Sequence, residues 1–415
     1  MTTPTPDSPT PRAAWGLLAF LTLLNILNFV DRSLIASLAP LLIADLGLTR
    51  AEIGLLAGFG FVVLYSLVGL VLGLAADRWP RFPLVAGGLA LWSAMTAISG
   101  LAKSFLHLAI PRIFVGVGEA TLTPAALSML GDAFPRRRLG LATGVYYAGI
   151  PLGTAASLLA AGYVAPRFGW RACFVVLGLF GLAAVAALPL LREPPRQSSA
   201  AAPGLPSLWR LSREFGRAVI RRPALLLVLA GGTLLVYGSA AALLVVTWLV
   251  EERGFAFARA AYLAGVVAVA AGLLGNLAGG WFGDWCARRF PQGRLWSLVA
   301  MTLFFVPFSA GFYLLPVSTP LFWPCWFFAC AGTTAWFGPL FAAIQELAPT
   351  AARSTTVAFA LLVMNVAGVG PGPLVTGLIG DSSSLTRGLL LSVAVVLAAS
   401  LPFALAARRA KLRVS

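Results

Sequence analysis

Four ionisable side chains stand inside otherwise apolar stretches of this chain: Asp31 and Arg32 in one, Arg112 and Glu119 in another. A charge at the centre of a bilayer costs at least ~2.5–3.5 kcal/mol on insertion scales, so such groups are rare and usually have a task. Two acids and two bases sum to zero and can neutralise one another. Burial favours a protonated carboxyl, whereas a neighbouring guanidinium favours the ionised form. That competition at Asp31 is the chemistry of a proton-responsive site; the plainer alternative is a static ion pair holding the first span to the fourth.

Arg112 and Glu119 are seven residues apart. Two helical turns put them on roughly one face, about 10 Å apart along the axis, too far to pair with each other. Each is expected to meet a partner from the first span, or a substrate. Arg112 cannot give up its proton, so it suits an anionic head group or the biasing of an acid. Glu119 can titrate. Arg32 points about 100° away from Asp31 and is expected to pair with another face or line a water-filled path, with Asn28 as a further substrate contact. Gly116 and Gly118 permit close helix approach.

These groups must be carried by membrane helices. The 415 residues are 59% hydrophobic and 11% charged, with mean hydropathy +0.90, against about 25% charged in a soluble domain. Twelve apolar runs are long enough to cross about 30 Å of hydrocarbon. They lie near 16–43, 53–76, 83–102, 108–130, 139–165, 172–190, 224–250, 260–283, 295–315, 321–345, 354–379 and 388–407. Backbone groups in lipid must bond internally, so the runs are helices. Residues 1–11, rich in Thr and Pro, form a tail without a cleavable secretory signal.

The net charge of +16 does not point to nucleic acid, because its distribution is one-sided. Twenty-one of the 30 Lys and Arg fall on one side of the spans, seven on the other and two within them. This asymmetry places both termini in the cytoplasm. Cys173, Cys286, Cys325 and Cys330 lack metal-ligand spacing, and His107 is the sole histidine. The sequence therefore predicts no metal, no cofactor and no enzyme active site.

The chain divides at the Arg- and Pro-rich stretch 191–222. The expected organisation is a tail (1–15), a six-helix bundle (16–190), a cytoplasmic linker (191–222), a second bundle (223–408) and a short tail (409–415). Gly73-Leu74-Ala75-Ala76-Asp77 returns as Gly280-Trp281-Phe282-Gly283-Asp284, and Asp132-Ala133-Phe134-Pro135 as Glu346-Leu347-Ala348-Pro349. Two repeated halves with a site near the midplane form a recurring transporter plan.

Gly73-x-x-x-Asp77-Arg78-x-Pro80-Arg81 and Arg112-x-x-x-Gly116-x-Gly118 resemble signatures of the major facilitator superfamily, with Pro80 where a Gly is usual. Asn28-Phe29-Val30-Asp31-Arg32, Gly116-Val117-Gly118-Glu119-Ala120, Gly149-Ile150-Pro151-Leu152-Gly153 and Arg192-Glu193-Pro194-Pro195-Arg196 resemble its Spinster branch. The fold this implies is all-α, with twelve transmembrane helices in two pseudo-repeats. The activity it implies is proton-linked movement of lysophospholipids, sphingolipids or related amphiphiles by alternating access. The anion:cation symporter branch, which moves sugar acids, shares the Asp-Arg and Arg…Glu pattern and stands as the alternative.

The resemblance implies a cytoplasmic gate at Asp77, Arg78 and Arg81, with Asp284 as the repeat counterpart of Asp77. Asp132 and Glu346, beside Arg clusters, are expected to form further cytoplasmic pairs. The second half carries Tyr237, Trp336, Phe337 and Asn365 at positions that could face a cavity, and no charge within its spans. A titratable wall opposite an aromatic one suits an amphiphile. The sequence thus predicts a monomeric, proton-coupled transporter of an amphipathic anion in the bacterial inner membrane. A non-transporting membrane protein for signalling or structure is a remote rival.

Overall fold

A computed structural model describes residues 12–76, 79–190, 193–195, 208–349 and 353–411. Among these, every regular element is helical. Twelve helices are long and apolar enough to cross a membrane: α1 Arg12–Leu46, α2 Arg50–Gly69, α3 Arg81–Ser99, α4 Phe105–Ala133, α5 Arg138–Phe168, α6 Trp170–Ala187, α7 Pro223–Glu251, α8 Phe257–Arg289, α9 Gly293–Leu314, α10 Phe322–Leu347, α11 Thr356–Ser382 and α12 Leu385–Arg409.

The described residues form two compact units. Residues 12–34 and 64–195 make the first; residues 35–63 and 208–411 make the second. In the first, α3 packs against α4 and α6; in the second, its repeat counterpart α9 packs against α10 and α12. The first stretch of α2, Arg50–Ala57, packs on α11 inside the second unit. Large apolar side chains such as Leu106, Phe180, Leu277 and Leu401 remain exposed, as expected of surfaces that meet lipid rather than water.

Several spans are interrupted where the sequence supplies a reason. The break in α5 falls at Ala148, beside the Gly- and Pro-containing run Gly149–Gly153. α11 contains a π-helical turn, Asn365–Val369, just before Pro371. Pro cannot donate its missing N–H and clashes with the preceding turn, so such distortions cluster there. α4 is interrupted directly after Glu119, which places that carboxylate at a helix end rather than in a regular turn.

Close helix contacts depend on glycine at defined points. A methyl added at Gly118 would lie 2.6 Å from the Gly88 carbonyl oxygen of α3, and one at Gly153 would lie 2.5 Å from the Ile26 carbonyl oxygen of α1. Gly118 therefore seats α4 on α3, and Gly153 seats α5 on α1. Stretch 191–222 is not featureless: Leu208–Arg221 is a helix. Phe215 stacks on Phe359 at 5.1 Å and Val219 packs against the second unit's core.

Candidate functional site

Asp31 and Arg32 project from the middle of α1 to two different partners on α4, because consecutive helical residues diverge by about 100°. Arg112 Nη1 donates to Asp31 Oδ1 at 3.3 Å and to the Asp31 carbonyl at 3.2 Å, while Nη2 donates to the Arg32 carbonyl at 2.9 Å. The second oxygen of Asp31 accepts a short hydrogen bond from the Thr96 hydroxyl on α3. Arg32 Nε donates to Glu119 Oε2 at 2.8 Å. The seven-residue separation on α4 thus matches two adjacent residues on α1, and the four charges form two crossed pairs within the first unit.

The two pairs differ in environment. The Asp31 and Arg112 side chains are 2% and 3% exposed. In the other pair Glu119 is fully enclosed, but Arg32 keeps 21% of its side chain accessible. The Arg32 guanidinium lies 3.9 Å from the centre of the Tyr65 ring and 4.9 Å from that of Phe29, an arrangement favourable to a cation. Arg112, which the sequence reading set against a substrate head group, is instead enclosed and committed to α1. The accessible guanidinium of the group is Arg32.

Glu119 Oε1 and Asn28 Nδ2 are among the buried polar atoms here with no hydrogen-bond partner among the described residues. Such atoms are costly without compensation. One turn earlier, Asn25 donates to the Tyr146 carbonyl at 2.7 Å, and the Tyr146 hydroxyl meets Thr123 at 3.1 Å. This polar seam joins α1 to the interruption in α5.

A second group lies at the Arg-rich end of the first unit. Arg81 is wholly buried, which an arginine tolerates only when its donors are used. It pairs closely with Asp132, donates to Glu193 Oε1 at 2.9 Å and to Ser128 Oγ at 3.2 Å, and reaches the Pro194 carbonyl at 2.6 Å. Partial burial pushes the Glu193 carboxyl up, but the hydrogen bonds from Arg81 and from the Phe82 and Arg81 amides outweigh it and hold the group below the usual glutamate range. The second unit repeats the motif. Arg294, opening α9 as Arg81 opens α3, pairs with Asp284 at 3.1 Å and Glu346 at 2.7 Å. Asp132 and Glu346 therefore take equivalent partners. The pairing at Arg81 is buried, unlike the exposed pairs expected from sequence. Asp77 and Arg78 lie outside the described residues.

The aromatic residues of the second half separate. Trp336 belongs to the buried core with Leu225, Leu298 and Leu340, and Tyr237 is also buried. Phe337, stacked on Trp336 at 4.1 Å, is 40% exposed. Asn365 opens the π-helical turn, its carbonyl accepting from the Gly370 amide at 3.0 Å. Of the four, only Phe337 presents a large exposed surface.

Sequence reasoning missed one charged group. Arg50 Nε donates to Glu251 Oε2 at 2.7 Å, and the amides of Arg50 and Ala51 both donate to Asp381, each at 2.9 Å. Asp381 thus caps α2 from the end of α11, where an anion is favoured by the helix dipole. These residues sit at span ends, where charge is ordinary, so neither type nor spacing singles them out.

The family model of the Major Facilitator Superfamily matches residues 21–371. The chain belongs to that superfamily. It is a multi-pass membrane protein of the transporter class. An MFS-type efflux pump of Mycolicibacterium smegmatis (strain ATCC 700084 / mc(2)155) is 34% identical, over 94% of this chain and 91% of the pump. The hexuronate transporter of Bacillus subtilis (strain 168) is 26% identical, over 90% of each. Among solved structures, a bacterial homolog of the human lysosomal transporter Spinster, in an inward-facing and unoccupied conformation, superposes with TM-score 0.84 at 24% identity, over 96% of this chain and 98% of that one. This last likeness is one of fold.

Proposed function

We propose that the protein is a proton-coupled secondary transporter of an amphipathic, anionic, lipid-like substrate, working by alternating access. The observation that carries the reading is the crossed arrangement of four membrane-embedded charges. One pair is closed, whereas the other leaves Arg32 accessible and Glu119 Oε1 without a partner. In this mechanism Arg32 addresses the substrate head group, with Asn28 beside it. Glu119 takes up a proton when Arg32 turns to the substrate, and Arg112 holds Asp31 as the second proton site. Release of the head group restores the Arg32–Glu119 pair and expels the proton. Phe337 and its apolar surroundings are the contact for the tail. Asn365, Tyr237 and Trp336 support that wall.

The gates in this scheme are the paired networks at the Arg-rich end, Arg81–Asp132–Glu193 and Arg294–Asp284–Glu346, with Asp77 and Arg78 as further gate residues. Their counterpart at the opposite end is Arg50–Glu251–Asp381. The two pseudo-repeat bundles are 16–190 and 223–408, and both termini face the cytoplasm of a bacterial inner membrane, a reading the distribution of arginine supports. The unit acts as a monomer.

Proteoliposome flux tests the reading. An anionic lysolipid should move in response to an imposed pH gradient, and Asp31→Asn should abolish that response while leaving some binding. Unchanged pH-driven flux in both Asp31→Asn and Glu119→Gln would sink the proposal. The similarity to a hexuronate transporter supports a second reading, symport of a small sugar acid. Flux of a hexuronate with no response to any amphiphile would decide for it.

A further inference from the structure

We propose that the Arg-rich end of the second unit binds the phosphate head group of an anionic glycerophospholipid, at a site separate from the Asp31 and Glu119 group. The starting point is a difference between the repeats. In the first unit Arg81 is sealed by an internal carboxylate, Glu193, supplied by the chain beyond α6. In the second unit the corresponding Arg294 borders a cavity of about 550 Å³ that is also lined by Arg222, Arg409, Gln292 and Glu346. The described end of α12 brings Arg408 and Arg409 and no acid. Arg294 has two carboxylate partners as Arg81 has, Asp284 and Glu346, but its side chain keeps 24% exposure where that of Arg81 has none.

The charge count favours an anion. Three guanidiniums line the cavity against one carboxylate; that carboxylate, Glu346, and the neighbouring Asp284 are both held by Arg294, so Arg222 and Arg409 carry the excess charge. Arg222 donates a 2.6 Å hydrogen bond to the Leu347 carbonyl and makes no ion pair among the described residues. Arg409 is exposed and makes no ion pair among the described residues. Phosphate oxygens match the forked donors of arginine.

The neighbouring surface favours a lipid over a soluble anion. A second cavity of about 400 Å³ meets the first at Gln292 and is lined by Phe290, Pro291, Trp296, Ala407 and Arg408. Phe290 and Trp296 are 48% and 40% exposed, and aromatic rings at charged span ends mark the membrane interface. Gln292 stands in the left-handed region at φ 57°, uncommon for a residue with a side chain. It forms the turn that places the arginine-lined and aromatic-lined cavities side by side. A head group at the arginines with its acyl chain along Phe290 and Trp296 uses both.

The test is competitive lipid retention by the delipidated full-length protein, read by native mass spectrometry. Equimolar dioleoyl phosphatidylglycerol and dioleoyl phosphatidylcholine are the probes. The wild type should retain the anionic lipid in excess, and the excess should fall about fivefold for each arginine removed in Arg409→Gln and Arg222→Gln/Arg409→Gln, at roughly 1 kcal/mol per interfacial arginine. Arg409→Lys should retain most of it. A ratio within one sample does not depend on how much protein folds, and Arg409→Gln, at an exposed position, carries the test if the double variant is lost. Equal retention of the two lipids, or an unchanged ratio in Arg409→Gln, would overturn the proposal. So would inorganic phosphate matching phosphatidylglycerol in raising Tm, which would make this a soluble-anion site. A ratio that falls in Arg32→Ala instead would assign the lipid to the transport site and overturn it too.

Discussion

Arg32 and Arg112 exchange the roles that residue type alone suggests. Both arginines are permanently charged, so what distinguishes them is access: Arg112 is 3% exposed and Arg32 21%. Arg32→Ala should therefore weaken an anionic amphiphile more than a neutral one of equal chain length, as read by titration of each ligand. Arg112→Ala should act mainly through Asp31, which would be left buried without its guanidinium. Removing one partner of a buried pair costs about 3–5 kcal/mol, so neutralisation of Asp31 by a proton is the expected relief. The measurable consequence is flux that no longer responds to a pH gradient. Tail burial adds up to ~0.8 kcal/mol per methylene, and an affinity independent of chain length would remove the lipid-like tail from the account.

At the scale of the element, the start of α3 is held by the many bonds of Arg81. Arg81→Ala would leave Asp132 and Glu193 facing an unfilled apolar space and should lower stability by about 3–5 kcal/mol, visible as a fall in Tm of the detergent-solubilised protein. The pH dependence of this element has a definite sign. Glu193 is held below its ordinary value of 4.5, so its contribution is fully present above that value and is lost as the pH falls through the lower, folded value. Local protection of residues 81–84 in hydrogen exchange should be level from neutral pH down to the ordinary glutamate range and decline only below it. Glu193→Gln should remove the decline. At Gly118 the constraint is steric: Gly118→Val would drive a side chain into the Gly88 carbonyl and should separate α4 from α3, displacing Glu119 with it.

For the whole molecule, the Arg50–Glu251–Asp381 group ties the beginning of α2 to the ends of α7 and α11. A contact shifts a conformational equilibrium only if it differs between states. Asp381→Asn removes the charge that caps α2 and pairs with Arg50. It should broaden the distance distribution between spin labels placed at the outer ends of α2 and α11, without substrate present. An unaltered distribution would reduce Asp381 to a local cap.

Much of this architecture was legible in the linear chain. Twelve apolar runs are visible because a bilayer permits few other spanning structures, and the repeat is visible in Asp132 and Glu346, whose partners proved equivalent. Asp31, Arg32, Arg112 and Glu119 stand out because charge is so costly in lipid. Sequence could also state that Arg112 and Glu119 do not pair with each other, since helical rise alone forbids it. It could not say which acid meets which base, because that depends on the rotation of α1 against α4, which only the packing of the whole bundle decides. Nor could it separate Arg32 from Arg112 by exposure, or Phe337 from the buried Trp336, since neighbouring residues of one type differ only by the face they present. Thr96, Tyr65 and the Arg50–Asp381 contact carry no signal in type or spacing. They join residues 65, 33 and 331 positions from their partners Asp31, Arg32 and Arg50 respectively, and only the tertiary fold brings such distant groups within bonding range.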